Sequence, residues 1–253
     1  MFEFIKSKPR PYVVTKTHIG DRDENQDNHT HLSVDGYDCY VVADGLGGHD
    51  GGRYASQYLC DAIEQHFPIC IAALDTDTPA AVSRLIHDAR QTMCERLKEL
   101  DPELQGQTTV VLAVRHNDLL CIAHVGDSRA YLVQDQTITW QTRDHSLAQL
   151  LVEQGQIDKD QAMHDKSQHM LFRSIQCEKE YDISLDTFDH VKSNADNALI
   201  LCTDGFWTYR NDEDLIDLAT AKKPEKILER DFKQILKRSD GESDNITAMV
   251  IQF

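Results

Sequence analysis

The sequence predicts one α+β domain spanning residues 1–253, with strands and helices segregated along the chain, and three observations lead there. Short β-rich runs cluster between residues 108 and 141 and recur towards the end of the chain. Two stretches with helical spacing of apolar residues cover 54–67 and 81–100. No Pro- or Ser-rich linker and no internal repeat divides the 253 residues, which are enough to bury a substantial core.

Taken in order, residues 13–18 and 37–43 are strand-like. The second run leads straight into Asp44-Gly45-Leu46-Gly47-Gly48, which puts a carboxylate where a strand meets a flexible turn. Residues 54–67 place Tyr54, Tyr58, Leu59, Ala62, Ile63 and Phe67 on one helical side, and 81–100 repeat the pattern. The runs 108–115, 119–125, 129–133 and 137–140, separated by Asn117-Asp118, Gly126-Asp127 and Gln134-Asp135, predict an antiparallel meander. Residues 147–180 are polar, with weak helical pieces and no strong core pattern, and read as a mobile insertion over the rest. Strands are expected at 183–188 and 198–202, the latter ending in Thr203-Asp204-Gly205. Helices follow at 215–219 and 227–236, and a strand at 246–253 comes directly after Asp244-Asn245.

With 40% hydrophobic and 27% charged residues the composition is that of a soluble globular protein, and no apolar run approaches a membrane span. Forty-three acidic residues against 26 Lys and Arg give a formal charge of −17. Such a charge repels nucleic-acid phosphates and anionic lipids, so neither nucleic acid nor membrane is expected as a partner. Residues 1–11 mix Phe2, Phe4 and Ile5 with Lys6, Lys8 and Arg10 and lack the apolar stretch of a secretory signal, which points to the cytoplasm. The seven cysteines are odd in number, widely spread and without a C-x-x-C pair, and are expected to be reduced core thiols.

Most of the acidic residues read as a solvated surface; Asp44, Asp204 and Asp244 stand out because each adjoins a strand. Hard divalent cations take oxygen ligands, and strand ends hold such ligands firmly beside open loops. Taken alone, each of the three reads more readily as a turn aspartate than as a metal ligand. The stretch from Asp21 to Asp27 alternates acids like a calcium loop, but Gln26 stands where the sixth position needs glycine and Leu32 where the twelfth needs glutamate, which excludes an EF-hand. Asp50 breaks a G-x-G-x-x-G reading of the glycines at 45–48, and no Gly-Lys-Ser/Thr follows, which disfavours a dinucleotide or P-loop site.

The motifs Arg22-x-x-Asn25-Gln26-Asp27, Asp44-Gly45-Leu46-Gly47-Gly48-His49, Gly126-Asp127-Ser128-Arg129, Thr203-Asp204-Gly205 and Asp244-Asn245-Ile246-Thr247 follow one another in a single order. Lesser matches, Gly106-Gln107-Thr108-Thr109, Asp144-His145-Ser146-Leu147 and Leu171-Phe172-Arg173-Ser174-Ile175, lie between them. In these motifs, over nearly its whole length, the chain resembles the PP2C-like (PPM) metal-dependent serine/threonine protein phosphatases of bacterial type. The resemblance implies an αββα sandwich, with two antiparallel sheets face to face, helices outside and the site at a sheet edge. It also implies a flap segment within about 147–180.

By the same resemblance Asp44 bridges two Mn²⁺ or Mg²⁺ ions, the Gly45 carbonyl and Asp27 serve the second, and Asp204 and Asp244 hold the first. Asp127 with Asp204 matches a third, weaker site, and Arg22 matches the phosphate clamp. Apart from the resemblance, Arg22 reads as a surface partner of Asp21 or Asp23, and Asp127 as a turn residue. Two positions depart from the pattern. Gln26 stands where relatives often carry a glutamate ligand, so Asp27 works through water or the second metal binds more weakly. Leu46 stands where eukaryotic relatives often place a histidine, and the general acid is unassigned; His49 reads more readily as a structural hydrogen-bonder. The function implied is hydrolysis of phosphoserine and phosphothreonine in proteins, reversing a serine/threonine kinase and acting on that kinase and its targets. The alternatives are small phosphoesters on the same site, or a non-catalytic signalling module, against which the retention of Asp44, Asp204 and Asp244 speaks.

Overall fold

A computed structural model of the chain describes residues 11–47, 50–162, 165–191 and 197–253. The chain opens with β1 (Tyr12–His18), β2 (Asp27–Val34) and β3 (Tyr37–Leu46), followed by α1 (Gly51–Leu74) and α2 (Thr78–Leu100). A run of strands comes next: β4 (Gln107–Thr108), β5 (Val110–His116), β6 (Leu119–Val125), β7 (Arg129–Gln134) and β8 (Thr137–Gln141). Two short helices, α3 (Leu147–Glu153) and α4 (Lys159–Ala162), and a 3-10 turn at Lys166–His169 lead to β9 (Ile175–Gln176) and β10 (Ser184–Phe188). The chain then forms β11 (Ala198–Cys202), α5 (Asp204–Trp207), α6 (Asp212–Thr220), α7 (Pro224–Arg238) and β12 (Ile246–Gln252).

Among the described residues the strands form two antiparallel sheets. One has the order β1-β12-β11-β7-β8; the other runs β10-β6-β5-β3-β4-β9, with β2 also paired to β3. The apolar runs of the central strands explain the layering. In β3, Cys39, Val41 and Ala43 face a core shared with α1 and α2, while Tyr40 and Val42 face the other way. In β12, Ala248 and Val250 pack under α6 and α7, while Met249 and Ile251 meet Tyr40 and Val42 in the layer between the sheets. A strand covered on both faces has no polar side to present, which is why these runs do not alternate. The result is the expected αββα sandwich, each outer core buried by helices and the middle one by the sheets themselves.

Several elements differ from expectation. The predicted meander is split: β5 pairs with β6 in one sheet and β7 with β8 in the other. The chain changes sheets at Gly126-Asp127-Ser128, where Gly126 has φ +106° and an added Cβ would lie 2.6 Å from the Thr109 side chain. β2 is an additional strand; its Asp-Asn-His-Thr-His sequence has little β character of its own, and pairing along β3 makes it one. β3 continues through Asp44 and Gly45, so that carboxylate lies within a strand and not on the turn after it. Helix α1 runs past Pro68, which sits on an exposed face.

The cysteines also need correction. Cys94 on α2 and Cys177 just after β9 form a disulfide with Cα atoms 5.6 Å apart, while Cys39, Cys60, Cys121 and Cys202 are buried free thiols and Cys70 is half-buried. Spacing alone gave no sign of this pair, because its halves are 83 residues apart. The excursion after Ser146 is clasped at its base, Leu147 N–H donating to the Met170 carbonyl (2.9 Å) and Phe172 N–H to the His145 carbonyl (3.0 Å). Among the described residues no helix is long and apolar enough to cross a membrane.

Below α6 and α7, the fully buried guanidinium of Arg210 lies 3.3 Å from the equally buried Asp231 carboxylate. Removing one member of such a pair strands the other charge. Asp231→Ala should therefore cost about 3 kcal/mol of unfolding free energy; a loss below about 1 kcal/mol in denaturant titration would show that Arg210 is satisfied by other partners.

Candidate metal centre

Five aspartates reach one region of the sandwich, each delivered by a different element. Asp27 opens β2 and stands opposite Asp44 of β3 in register. Asp127 lies in the crossing between β6 and β7, Asp204 begins α5, and Asp244 precedes β12. Asp44, Gly45, Asp127, Asp204 and Asp244 line one cleft together with Arg22 and His169. Asp27 is buried behind it, close enough for Asp204 and Asp244 to act on its charge.

The surrounding hydrogen bonds show why these side chains are held there. The Thr203 hydroxyl donates to Asp27 Oδ2 (2.9 Å) and accepts from Thr247 N–H (3.0 Å), joining β11, β2 and β12 at one atom. A Cβ on Gly205 would lie 2.0 Å from the Asn245 carbonyl oxygen, so only glycine lets α5 start this close to β12. The Asn245 side chain accepts from Gln26 N–H (2.8 Å) and donates to the carbonyls of Ile19 and Glu24 (2.7 and 2.9 Å), pinning the loop that carries Arg22. Thr108 Oγ1 donates to the Asp44 carbonyl (2.9 Å), and Asp44 N–H donates to Thr109 Oγ1 (3.0 Å). Trp207 Nε1 donates to the Asp127 carbonyl (3.0 Å), with the Arg129 guanidinium 3.3 Å over its ring and gripped by both oxygens of Asp144 (2.8 and 2.7 Å).

Burial pushes the Asp27 carboxyl up to about 7, and the charges of Asp204 and Asp244 add to the rise. Asp44 is held well above the usual carboxylate range by burial and then by Asp27, Asp204, Asp127 and Asp244; Asp127 is raised by burial, Asp204 and Asp144. Asp27 Oδ1 and Asp204 Oδ1 are buried with no hydrogen-bond partner. Crowded carboxylates with orphaned oxygens are the donor set of a hard divalent cation, which offsets both the repulsion and the lost hydration. The residues therefore fit Mg²⁺ or Mn²⁺.

Two of the carboxylates meanwhile meet basic side chains. Arg22 Nη2 is 2.8 Å from Asp244 Oδ2, and His169 Nδ1 is 3.5 Å from Asp204 Oδ2, a contact whose hydrogen bond raises the imidazole pKa. Among the described residues no three His, Cys, Asp or Glu side chains are drawn in closely enough to hold an ion as they stand. Arg22 thus pairs with Asp244 and not with Asp21 or Asp23; Asp21 is occupied by the Ser243 N–H and hydroxyl (2.9 and 2.7 Å). Gln26 lines the cleft and donates to Glu24 Oε1 (2.5 Å), which places a carboxylate next to the position where the sequence pattern lacks one. His49 lies outside the described residues.

Four participants were not foreseen: Thr203, Asn245, Glu24 and His169. The first two adjoin motif aspartates, where a hydroxyl or amide next to a ligand position is a readable signal. His169 comes from the polar insertion, whose sequence carries no such mark.

The sequence profile of Protein phosphatase 2C matches residues 14–243. The serine/threonine phosphatase stp of Listeria welshimeri is 30% identical over 237 residues, 91% of each chain. The crystal structure of the Mycobacterium tuberculosis serine/threonine phosphatase PstP/Ppp superposes with a TM-score of 0.79 at 24% identity, covering 97% of this chain and 99% of that one. The catalytic domain of PstP in complex with two manganese ions gives 0.74 at 23% identity, over 96% and 98%.

The elevated carboxyl of Asp27 has a measurable consequence. Its folded value lies above the unfolded carboxylate range, so its share of stability is complete below about pH 4 and is lost as pH rises through about 7. In chelator, Asp27→Asn should gain on the natural protein by about 2 kcal/mol between pH 5 and pH 8. A stability difference between the two that stays constant across this range would contradict the assignment.

Proposed function

This chain belongs to the protein phosphatase 2C family, and we propose that it hydrolyses phosphoserine and phosphothreonine in proteins, using two or three Mn²⁺ or Mg²⁺ ions held by the aspartates of the cleft. The observation that carries this reading is the crowding of Asp27, Asp44, Asp127, Asp204 and Asp244 about one cleft with Arg22 at its rim. When bound, such ions would polarise a water for in-line attack on phosphorus and neutralise the phosphoryl oxygens.

The chain's own residues divide the work. Asp44 and the Gly45 carbonyl, with Asp204 and Asp244, would supply the oxygens for the pair; Asp27 supports Asp44 from behind, and Asp127 with Asp204 would serve a further ion. Arg22, with its side chain 60% exposed, is placed to leave Asp244 and take two phosphoryl oxygens in its planar fork. Residues 147–180 act as the flap of a single domain, since His169 and Leu171 border the cleft. The substrates are phosphorylated proteins, among them a serine/threonine kinase and its targets in bacterial signalling, and the setting is the cytoplasm. Release of phosphate from a phosphothreonine peptide with Mn²⁺, lost on chelation, tests the reading; equal preference for small phosphoesters would redirect it.

Arg22→Ala should raise KM for the phosphopeptide about tenfold, the worth of a charged hydrogen bond. Because Arg22 occupies Asp244, metal affinity should hold or tighten; weakened metal binding with an unchanged KM would make Arg22 structural.

Asp44→Ala and Asp127→Ala should differ in kind. The first should abolish both tight metal binding and turnover, since Asp44 would be the carboxylate shared by the pair. The second should keep two ions and product binding but lose turnover by about 100-fold or more. Normal single-turnover rates from a folded Asp127→Ala protein would rule out a required third ion.

A further inference from the structure

The disulfide between Cys94 and Cys177 lies apart from the acidic cleft, yet it fastens a segment that leads into it. Cys94 belongs to α2, and Cys177 follows β9 directly. β9 pairs with β4 (Thr108↔Ile175, Gln107↔Gln176), and β4 pairs with Gly45 and Leu46 of β3. Thr108 in turn holds the Asp44 carbonyl. On the other side of β9, Ser174 Oγ donates to Gln107 Oε1 (2.9 Å), and the chain before it carries Leu171 and His169 to the cleft wall. The segment that returns from the flap is thus tied to β3, the strand that carries Asp44, through β4, and to α2 through the two sulfurs.

Arg90 of α2 makes a second tie. Its guanidinium donates to the carbonyls of Gln176, Cys177 and Lys179 (2.8, 2.7 and 3.1 Å). These bonds hold the Cys177 segment against α2 beside the covalent link.

The sulfurs are also reachable. Both residues are half-buried and line an open groove whose charged members are Arg84, Arg90 and Lys98 against Asp88 and Glu95. The charges of the lining are mixed, and Arg84 is paired with Asp88 (2.8 Å). Four of the five free cysteines are buried, and Cys70 engages the Phe67 carbonyl. Thiol exchange is therefore directed to this pair.

We propose that Cys94 and Cys177 form a reversible thiol–disulfide site, exchanging with low-molecular-weight thiols and disulfides, whose oxidised state latches the flap's return segment to α2 and so favours substrate binding. In the oxidising direction one protein thiolate attacks a small disulfide RSSR and expels RS⁻. The second protein thiolate then attacks the mixed disulfide at the protein sulfur and expels the other RS⁻. The protein loses two electrons and two protons, and RSSR becomes two RSH. The kinetic consequence rests on the phosphatase reading; the exchange chemistry does not.

The test equilibrates the full chain with reduced and oxidised glutathione at several ratios, traps thiols by alkylation and reads each cysteine by mass spectrometry. Cys94 and Cys177 should convert together, and Cys94→Ser should carry glutathione on Cys177. A pair that stays reduced, or stays oxidised, at every ratio overturns the proposal. Amide hydrogen exchange over residues 165–182 should quicken on reduction, and unchanged exchange overturns the latch. With phosphopeptide, KM should rise about fivefold on reduction, the low end of coupling between separate sites, and Cys94→Ser should stay at the reduced value whatever the glutathione ratio. Equal KM in both states overturns the link to substrate. If no phosphopeptide is hydrolysed at all, the phosphatase reading falls, while alkylation and exchange still decide the latch.

Discussion

Repulsion among carboxylates packed into a partly dry cleft is the constraint on which the rest of this structure turns. Asp44 and Asp127 carry carboxyls raised by burial and by one another's neighbours, and Asp27 is pushed to about 7. No short segment holds such a set, because adjacent acids in a flexible loop would turn outward to water. Here the two sheets hold them. Asp27 and Asp44 belong to the sheet under α1 and α2, Asp204 and Asp244 flank strands of the other sheet, and Asp127 lies where the chain crosses between them. The packed layer of Tyr40, Val42, Leu199, Leu201 and Met249 fixes how far apart the two halves of the site stand.

The same constraint accounts for the small residues around the cleft. Thr203 joins three strands through one hydroxyl, Gly205 admits the Asn245 carbonyl, and Asn245 holds the Arg22 loop. Each removes a degree of freedom by which a carboxylate would escape its neighbours. Arg22 and His169 meet two of these carboxylates, one from the loop after β1 and the other from the 3-10 turn at Lys166–His169.

What the sequence disclosed follows from where the physics is local. The apolar runs at 199–201 and 248–251 are strands with two covered faces, and the aspartates of the cleft stand in short motifs beside or within strands, so both were readable. β2 was not, because His29, Thr30 and His31 become a strand only by pairing with β3. The switch of sheets at Gly126 looked like an ordinary hairpin turn, since nothing local distinguishes a turn within a sheet from a crossing between two. His169 and the Cys94–Cys177 pair depend on contacts across long separations in sequence, which composition and periodicity do not encode.

The central claim is that these carboxylates are gathered for divalent cations, and manganese anomalous scattering from a crystal of the full chain tests it most directly. The account predicts anomalous peaks among Asp44, Asp204 and Asp244, with Arg22 drawn away from the 2.8 Å contact it makes with Asp244. A manganese-soaked crystal with no peak in this cleft, and with Arg22 and His169 still on Asp244 and Asp204, would contradict it.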